Sequence, residues 1–391
     1  MDSREKAQKI IKILNDNEYE AYIVGGYVRD YILKTKSNDI DITTSATPKE
    51  IQKIFEKTYP TGIKYGTISV MMDNELFEVT TFRNDVLYKD NRHPVITFSK
   101  SLEEDLKRRD FTINGMAMDC DGEIIDLFGG KNDLEKQIIR TIGNPKNRFT
   151  EDALRMLRAV YFASKLGFTI EDKTYEAIKE NASLIQNVSI ERIYQELKKI
   201  IQSEHQIQGF QILVDTNLSA YLPGLEKGLR FLMSQDKSVS IDEFFTLCFK
   251  LNEYVDEGWK FSTEVLRKYS AASDLACACE NGLYTPLIMY SYTLPICLLA
   301  NRVNFILGVN IDLSNELKKM NDNLPIHKTC DLVFKGQDIM MLTKRHAASW
   351  LGDLVDEIKY LVINGQMKND YEEIKTYIIK RLKEEGCYDE K

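Results

Sequence analysis

The sequence predicts an α+β protein in which a mixed α/β unit, residues 1–143, is followed by an all-helical remainder. Two observations predict it, and a third narrows it. As far as Gly143 the apolar period keeps switching between helix and strand, whereas beyond Asn144 it settles at three and four. No fixed-period repeat or low-complexity tract occurs, which leaves a solenoid without support.

The elements follow in order. Ala7, Ile10, Ile11 and Leu14 recur at helical spacing and open the chain with a helix. Short β-branched runs come next at YIV, DIDITT, GTISVMM and LFEVTTF, each bounded by Gly, Asn or Asp. Past Asn144, two sets mark amphipathic helices: Leu154, Leu157 and Tyr161, then Ile190, Ile193, Leu197, Ile200 and Ile201. Weak breaks lie at Leu222–Gly228, Asn310–Leu313 and Asn323–Pro325, where Gly, Pro and Asn gather. The expected division is a head 1–143, a neck 144–205, a body 206–330 and a tail 331–391.

Composition excludes several classes. With 43% hydrophobic residues and only 8 Pro in 391 residues, the chain is ordered rather than linker-rich. A net charge of −8 does not hold a protein on nucleic acid in bulk, so any RNA-binding face must be local. The 7 cysteines are odd in number, scattered and without a CxxC pair, which argues against a disulfide framework or a zinc site and fits a reducing cytoplasm. The start, MDSREKAQKI, has no apolar signal core, and the most apolar run, Pro286–Ala300, is broken by Ser291, Thr293 and Pro295. No membrane segment is expected.

Two segments in the head carry chemistry. In VGGYVRD an apolar strand ends at Gly25-Gly26 and a helix begins at once, so the backbone can turn tightly and approach phosphate oxygens. In DIDIT, a strand period of two puts Asp39 and Asp41 on one face and Ile40 and Ile42 in the core. Paired carboxylates repel unless a cation sits between them, and hard oxygen ligands suit Mg²⁺. An isolated DxD reads more simply as a solvated acidic face; the Gly-Gly turn ahead of it favours metal and phosphate together. Glu78, on the strand face opposite Phe77 and Val79, is the candidate third carboxylate, with Glu75 and Asp73 as competitors.

GGYVRD, DIDIT, EVTTFR, RRDFTINGMA, EDALRMLRA and SIERIYQEL, in this order, resemble the motif series of the class II tRNA nucleotidyltransferases. That family includes CCA-adding enzymes, their A-adding and CC-adding relatives, and bacterial poly(A) polymerases. The resemblance implies a polymerase-β-like head that binds Mg²⁺ and a nucleoside triphosphate, then helical neck, body and tail regions that hold tRNA rather than DNA. It implies Asp39 and Asp41 as metal ligands, and Gly25, Gly26 and Arg29 at the triphosphate. Arg109 and Asp110 would meet the nucleotide and its 2′-hydroxyl.

Asp152 and Arg155, three apart on a helix, would present an acceptor and a donor to the base edge. Cytosine and adenine both offer an exocyclic amino donor beside a ring acceptor; guanine and uracil reverse that order. Arg158, a turn further on, would reach the triphosphate or the same site. Where the family usually carries another Arg, this chain has Tyr161, and Gly115 stands where Ala is commoner, a change read as packing. SIERIYQEL is expected to bury Ile190, Ile193 and Leu197, with Glu191 or Arg192 bracing the neck. YKDNRHP (Tyr88–Pro94) matches a loop of CCA-adding members.

Residues 206–391 offer no catalytic motif; the basic clusters Lys344-Arg345-His346 and Lys380-Arg381-Lys383 read as solvated helix surface. None of the 4 His is followed by Asp, so an HD phosphohydrolase domain is not expected. The expected activity is template-independent addition of CCA to tRNA 3′ ends from CTP and ATP. The alternatives are A-adding, CC-adding or poly(A) synthesis, a non-catalytic RNA-binding protein, and transfer to a small molecule.

Overall fold

The structure, a computed structural model, describes residues 2–37, 39–88 and 94–384. Two compact units emerge, one of Met1–Ser238 with Gly258–Lys260, the other of Val239–Glu257 with Phe261–Lys391.

The first unit opens on α1 (Ser3–Asp16), capped by Asp2 and Glu5, which each accept the other's backbone N–H. Its buried stripe is Ala7, Ile10, Ile11 and Leu14, as the spacing predicts. There follow β1 (Ala21–Val24), α2 (Gly26–Ile32), β2 (Asp41–Thr44), α3 (Pro48–Ile54), β3 (Thr58–Gly62), β4 (Thr67–Met72) and β5 (Glu75–Thr81). Then come β6 (Arg83–Tyr88), β7 (Pro94–Phe98), α4 (Leu102–Lys107), β8 (Met116–Met118), β9 (Ile124–Asp126), α5 (Gly130–Glu135) and β10 (Ile138–Ile139). Residues 89–93, the middle of the YKDNRHP segment, lie outside the described residues.

Seven strands form one sheet in the order β3-β4-β5-β2-β1-β8-β9. Neighbours are antiparallel except β2 and β5, and this one parallel pair sets Asp41 opposite Glu78. Asp73 and Asn74, both at positive φ, make the two-residue turn between β4 and β5. The strand predicted over DIDITT starts at Asp41 rather than Asp39, yet the alternation runs on past its end: Asp39 and Asp41 are exposed, Ile40 and Ile42 buried. A buried cluster of Val24, Phe82, Leu102, Leu106 and Ala117 backs the sheet where β1 ends.

The unit continues with α6 (Pro145–Glu151), α7 (Leu154–Leu166), β11 (Thr169–Ile170), α8 (Asp172–Asn181), α9 (Ile190–Ile201), α10 (Gln206–Asp215) and α11 (Glu226–Leu232). Here the all-helical expectation misses one detail, since β11 pairs in parallel with β10. A two-residue strand is too short to leave a period. On α9, Ile193, Leu197, Ile200 and Ile201 are buried, while Ile190 is only half-buried.

The second unit holds α12 (Ile241–Asn252), α13 (Thr263–Ala278), α14 (Pro286–Ile306), α15 (Ser314–Asp322), α16 (Gly336–Thr343), α17 (Ser349–Ile363) and α18 (Tyr371–Glu384). The apolar run from Pro286 lies in α14, which breaks at Thr293 (φ 66°, ψ 156°) just ahead of Pro295, whose ring clashes with a straight helix. Met289, Cys297, Ala300, Val303 and Ile306 of that helix are buried. Among the described residues no helix is long and apolar enough to cross a membrane. Two predicted breaks, Asn310–Leu313 and Asn323–Pro325, fall at the two ends of α15.

Candidate active site

Where β1 ends, Gly25 turns the chain into α2 with φ of 74°. A Cβ there would lie 3.2 Å from Arg109 Nη1 and 3.9 Å from Asp41 Oδ2, so backbone conformation and close approach both select glycine. A cavity of about 540 Å³ opens at this turn. Its lining includes Gly25, Gly26, Arg29, Asp41, Arg109, Asp110, Asp152, Arg155 and Arg158, which are the predicted site residues save Asp39 and Glu78. Those two flank Asp41, one along the chain and one across the parallel ladder.

Asp41 carries the electrostatic strain of the group. Crowding by the protein and then the Asp39 charge push its carboxyl above the usual range, Glu78 adds to this, and Arg109 opposes it. Two carboxylates with this repulsion are hard oxygen donors in want of a cation, and they fit a divalent ion by charge and donor type. Glu78 stands beside Asp41 across the parallel ladder; among the described residues no three His, Cys, Asp or Glu side chains are grouped to hold a metal. Its competitors are engaged elsewhere, Glu75 with Lys6 at 2.9 Å and Asp73 with Lys9 at 3.6 Å.

The other wall of the cavity is a chain of ion pairs. Arg29 is 3% exposed; it contacts Asp30 Oδ1 through Nε at 2.8 Å and Nη2 at 2.7 Å, and donates Nη1 to Asn114 Oδ1 at 2.7 Å. Asn114 passes its amide to Asp110 Oδ1 at 3.1 Å, which also accepts the Phe111 N–H at 2.8 Å. Arg158 closes on Asp110 Oδ2 through Nε at 2.7 Å and Nη2 at 2.6 Å, and reaches Glu196 Oε1 at 3.8 Å. Burial pushes the Asp110 carboxyl up, but Arg158 and the two hydrogen bonds outweigh it and hold it below the carboxylate range. Asp105, wholly buried, holds Arg108 Nη2 at 2.7 Å and Arg109 Nη2 at 3.2 Å. The RRD motif is therefore pinned from both sides. A Cβ at position 115 would lie 2.4 Å from Ile142 Cδ1, so an alanine there would make the tip of that side chain shift.

One local expectation is corrected. Asp152 and Arg155 do not share a helix face, because α6 ends at Glu151 and Asp152 is extended (φ −149°, ψ 102°). The physical reason is the ordinary preference of Asp for helix ends: Asp152 Oδ1 accepts the Leu154 N–H at 3.1 Å as α7 starts. Its Oδ2 takes Arg192 Nη2 at 2.9 Å, so Arg192 braces the neck as expected, and Glu191 meets Lys260 at 3.2 Å. Arg155 is buried and donates Nη1 to Glu151 at 2.8 Å and to the Arg148 carbonyl at 3.0 Å. Arg148 in turn holds Glu151 and the carbonyls of Arg108 and Arg109. Both Asp152 and Arg155 still line the cavity, from two elements instead of one.

Sequence reasoning passed over Asp30, Asp105, Asn114, Arg148, Lys165 and Glu196. A signal existed for two of them. Asp30 directly follows Arg29, and Asp105 stands four residues before Arg109 at ion-pair spacing. Asn114, four residues after Asp110, and Lys165, two turns past Arg158 on α7, lie close in sequence with no motif to mark them, and Arg148 and Glu196 join the site through tertiary contacts.

Three family models match in succession: the poly(A) polymerase head domain over residues 21–140, the RNA and SrmB-binding site of polymerase A over 167–229, and tRNA nucleotidyltransferase domain 2 over 243–378. The chain is 37% identical to a CCA-adding enzyme of Bacillus cytotoxicus, covering 95% of this chain and 97% of that protein. It is 38% identical to one of Ligilactobacillus salivarius, covering 98% of each. The crystal structure of the Bacillus stearothermophilus CCA-adding enzyme in complex with CTP superposes with a TM-score of 0.85 at 35% identity, over 98% of this chain and 99% of that one. With this identity sustained from end to end, the chain belongs to the class II tRNA nucleotidyltransferase and bacterial poly(A) polymerase family, alongside its CCA-adding enzymes.

Proposed function

We propose that the protein adds C, C and A to the 3′ end of tRNA from CTP and ATP, without a nucleic-acid template and with release of pyrophosphate. One observation carries this reading: a single cavity gathers the Gly turn, Asp41 and the EDALR block in a chain alike throughout its length to CCA-adding enzymes.

In this proposal Asp39 and Asp41 hold Mg²⁺, which when bound neutralises charge on the α-phosphate and lowers the pKa of the tRNA 3′-hydroxyl. Gly25 and Gly26 let the triphosphate approach the backbone, and Arg29 and Arg109 supply fixed guanidinium groups beside it. Glu78 tunes Asp41 by its charge. Asp110 acts by holding Asn114 and Arg158 in place. Asp152 and Arg155 offer the acceptor and donor that C and A satisfy, while G and U would leave buried groups unpaired. A base amino group at Asp152 must displace Arg192, whose side chain is 44% exposed and borders solvent. We keep the division into head, neck, body and tail as part of the proposal, with the helical regions on the tRNA and the reaction in the cytoplasm.

The test is incorporation of each labelled nucleotide into tRNA lacking CCA, ending in C, and ending in CC. CTP on the first two and a single ATP on the third is the expected result. Use of ATP alone would mean an A-adding or poly(A)-making enzyme, CTP alone a CC-adding one, and no incorporation a non-catalytic RNA-binding protein.

A further inference from the structure

A triphosphate brings several negative charges, and a cation already bonded to a carboxylate answers them less than a free one does. The cavity is rich in cations, but nearly all are engaged. Arg29 holds Asp30, Arg108 and Arg109 share Asp105, Arg155 holds Glu151, Arg158 holds Asp110 and Arg192 holds Asp152. Arg83 gives Nη1 to the Tyr65 carbonyl at 2.9 Å. Lys165 alone among the lining cations has no hydrogen-bond or ion-pair partner among the described residues.

Its position is specific. Arg158, Tyr161 and Lys165 are three and four residues apart on α7, so they share one helix face, and all three line the cavity. A lysine in the last turn of a helix is favoured by the helix dipole, but the dipole does not require it to line a cavity of arginines. Crowding by the cavity walls and then the neighbouring charge of Arg29 hold the ammonium of the exposed Lys165 below its usual range, with Asp30 opposing. A cation kept beside another cation, with no carboxylate bonded to it, is stabilised by whatever anion enters. We infer that Lys165 is an additional contact for the triphosphate tail of the incoming nucleotide, an assignment that rests on the nucleotide-site reading above. A compact ammonium on a flexible stem can follow the phosphates, which the pinned arginines cannot.

The test compares Lys165→Met, which keeps length and removes charge, with Lys165→Arg, which keeps charge. Lys165 is exposed, so neither variant threatens the fold. Removing one partly exposed charged hydrogen bond should raise KM for both CTP and ATP about tenfold in Lys165→Met, with kcat within about twofold. KM for tRNA should not change. Inorganic tripolyphosphate, titrated calorimetrically into the protein without tRNA, should weaken by the same factor, and Lys165→Arg should recover most of the loss in both measurements. Unchanged nucleotide KM in Lys165→Met would overturn the assignment. A change confined to tRNA KM would also overturn it, moving the contact to a tRNA phosphate. Failure of the wild-type chain to incorporate nucleotides would instead remove the function on which it rests.

Discussion

The sheet side of the cavity and its helical side are built on opposite electrostatic plans. On the sheet side Asp39 and Asp41, at the start of β2, and Glu78, across the ladder on β5, stand exposed, and crowding by the protein, then the Asp39 charge and that of Glu78, raise the Asp41 carboxyl. On the helical side each arginine has its carboxylate: Arg155 with Glu151, Arg158 with Asp110, Arg192 with Asp152. The difference separates two uses of charge. Compensated charge fixes shape, because breaking a buried pair strands its partner. Uncompensated charge is held at a cost in stability and is satisfied only when a ligand arrives.

The comparison can be broken at its strongest point first. Asp41→Ala should lower nucleotide incorporation by about a thousandfold or more, as expected when the group organising transition-state charge is lost, while tRNA binding persists in a filter or gel assay. Asp110→Ala should act on stability instead, costing about 3–5 kcal/mol by leaving Arg158 without its main partner, read as a fall in Tm.

That second loss has a sign in pH. The Asp110 carboxyl is lower in the folded protein than in the unfolded chain, so its contribution is full above the ordinary carboxylate range. It disappears as pH falls through the folded value. The gap in stability between wild type and Asp110→Ala should therefore narrow in acid, and a gap that stays constant would contradict the ion-pair account. Smaller again, Asp152→Ala should raise misincorporation of U and G by about tenfold, as loss of one discriminating hydrogen bond predicts, with a fall in Tm smaller than that of Asp110→Ala, from the lost Leu154 cap and the half-exposed Arg192 pair. Arg155→Ala should blur selection too, but with a lower Tm, since its guanidinium also ties Glu151 to the Arg148 carbonyl. Equal Tm for the two variants would erase the distinction between exposed and framed charge.

Legibility in the sequence follows the same divide. The α1 stripe of Ala7, Ile10, Ile11 and Leu14, and the alternation of Asp39 to Ile42, were readable because period alone sets burial. Gly25 was readable because a backbone turn leaves its mark in residue type. The ion-pair wall was not. Asp110 meets Arg158 across 48 positions, and Asp152 meets Arg192 across 40, and no local period encodes such partners. The break between α6 and α7 was hidden in a run that scans as one helix, and only the capping habit of Asp152 hinted at it. Lys165 reads as any surface lysine until the cavity is seen around it.

The most direct measurement is thermal unfolding of the wild type, Asp41→Asn and Asp110→Asn, each with and without Mg²⁺. Removing a repelled charge should leave Asp41→Asn as stable as the wild type or more so, and should abolish the rise in Tm that Mg²⁺ gives. Asp110→Asn should melt lower and still respond to Mg²⁺. If Asp41→Asn loses as much stability as Asp110→Asn, or keeps the full response to Mg²⁺, the division between ligand-seeking and shape-holding charge is wrong.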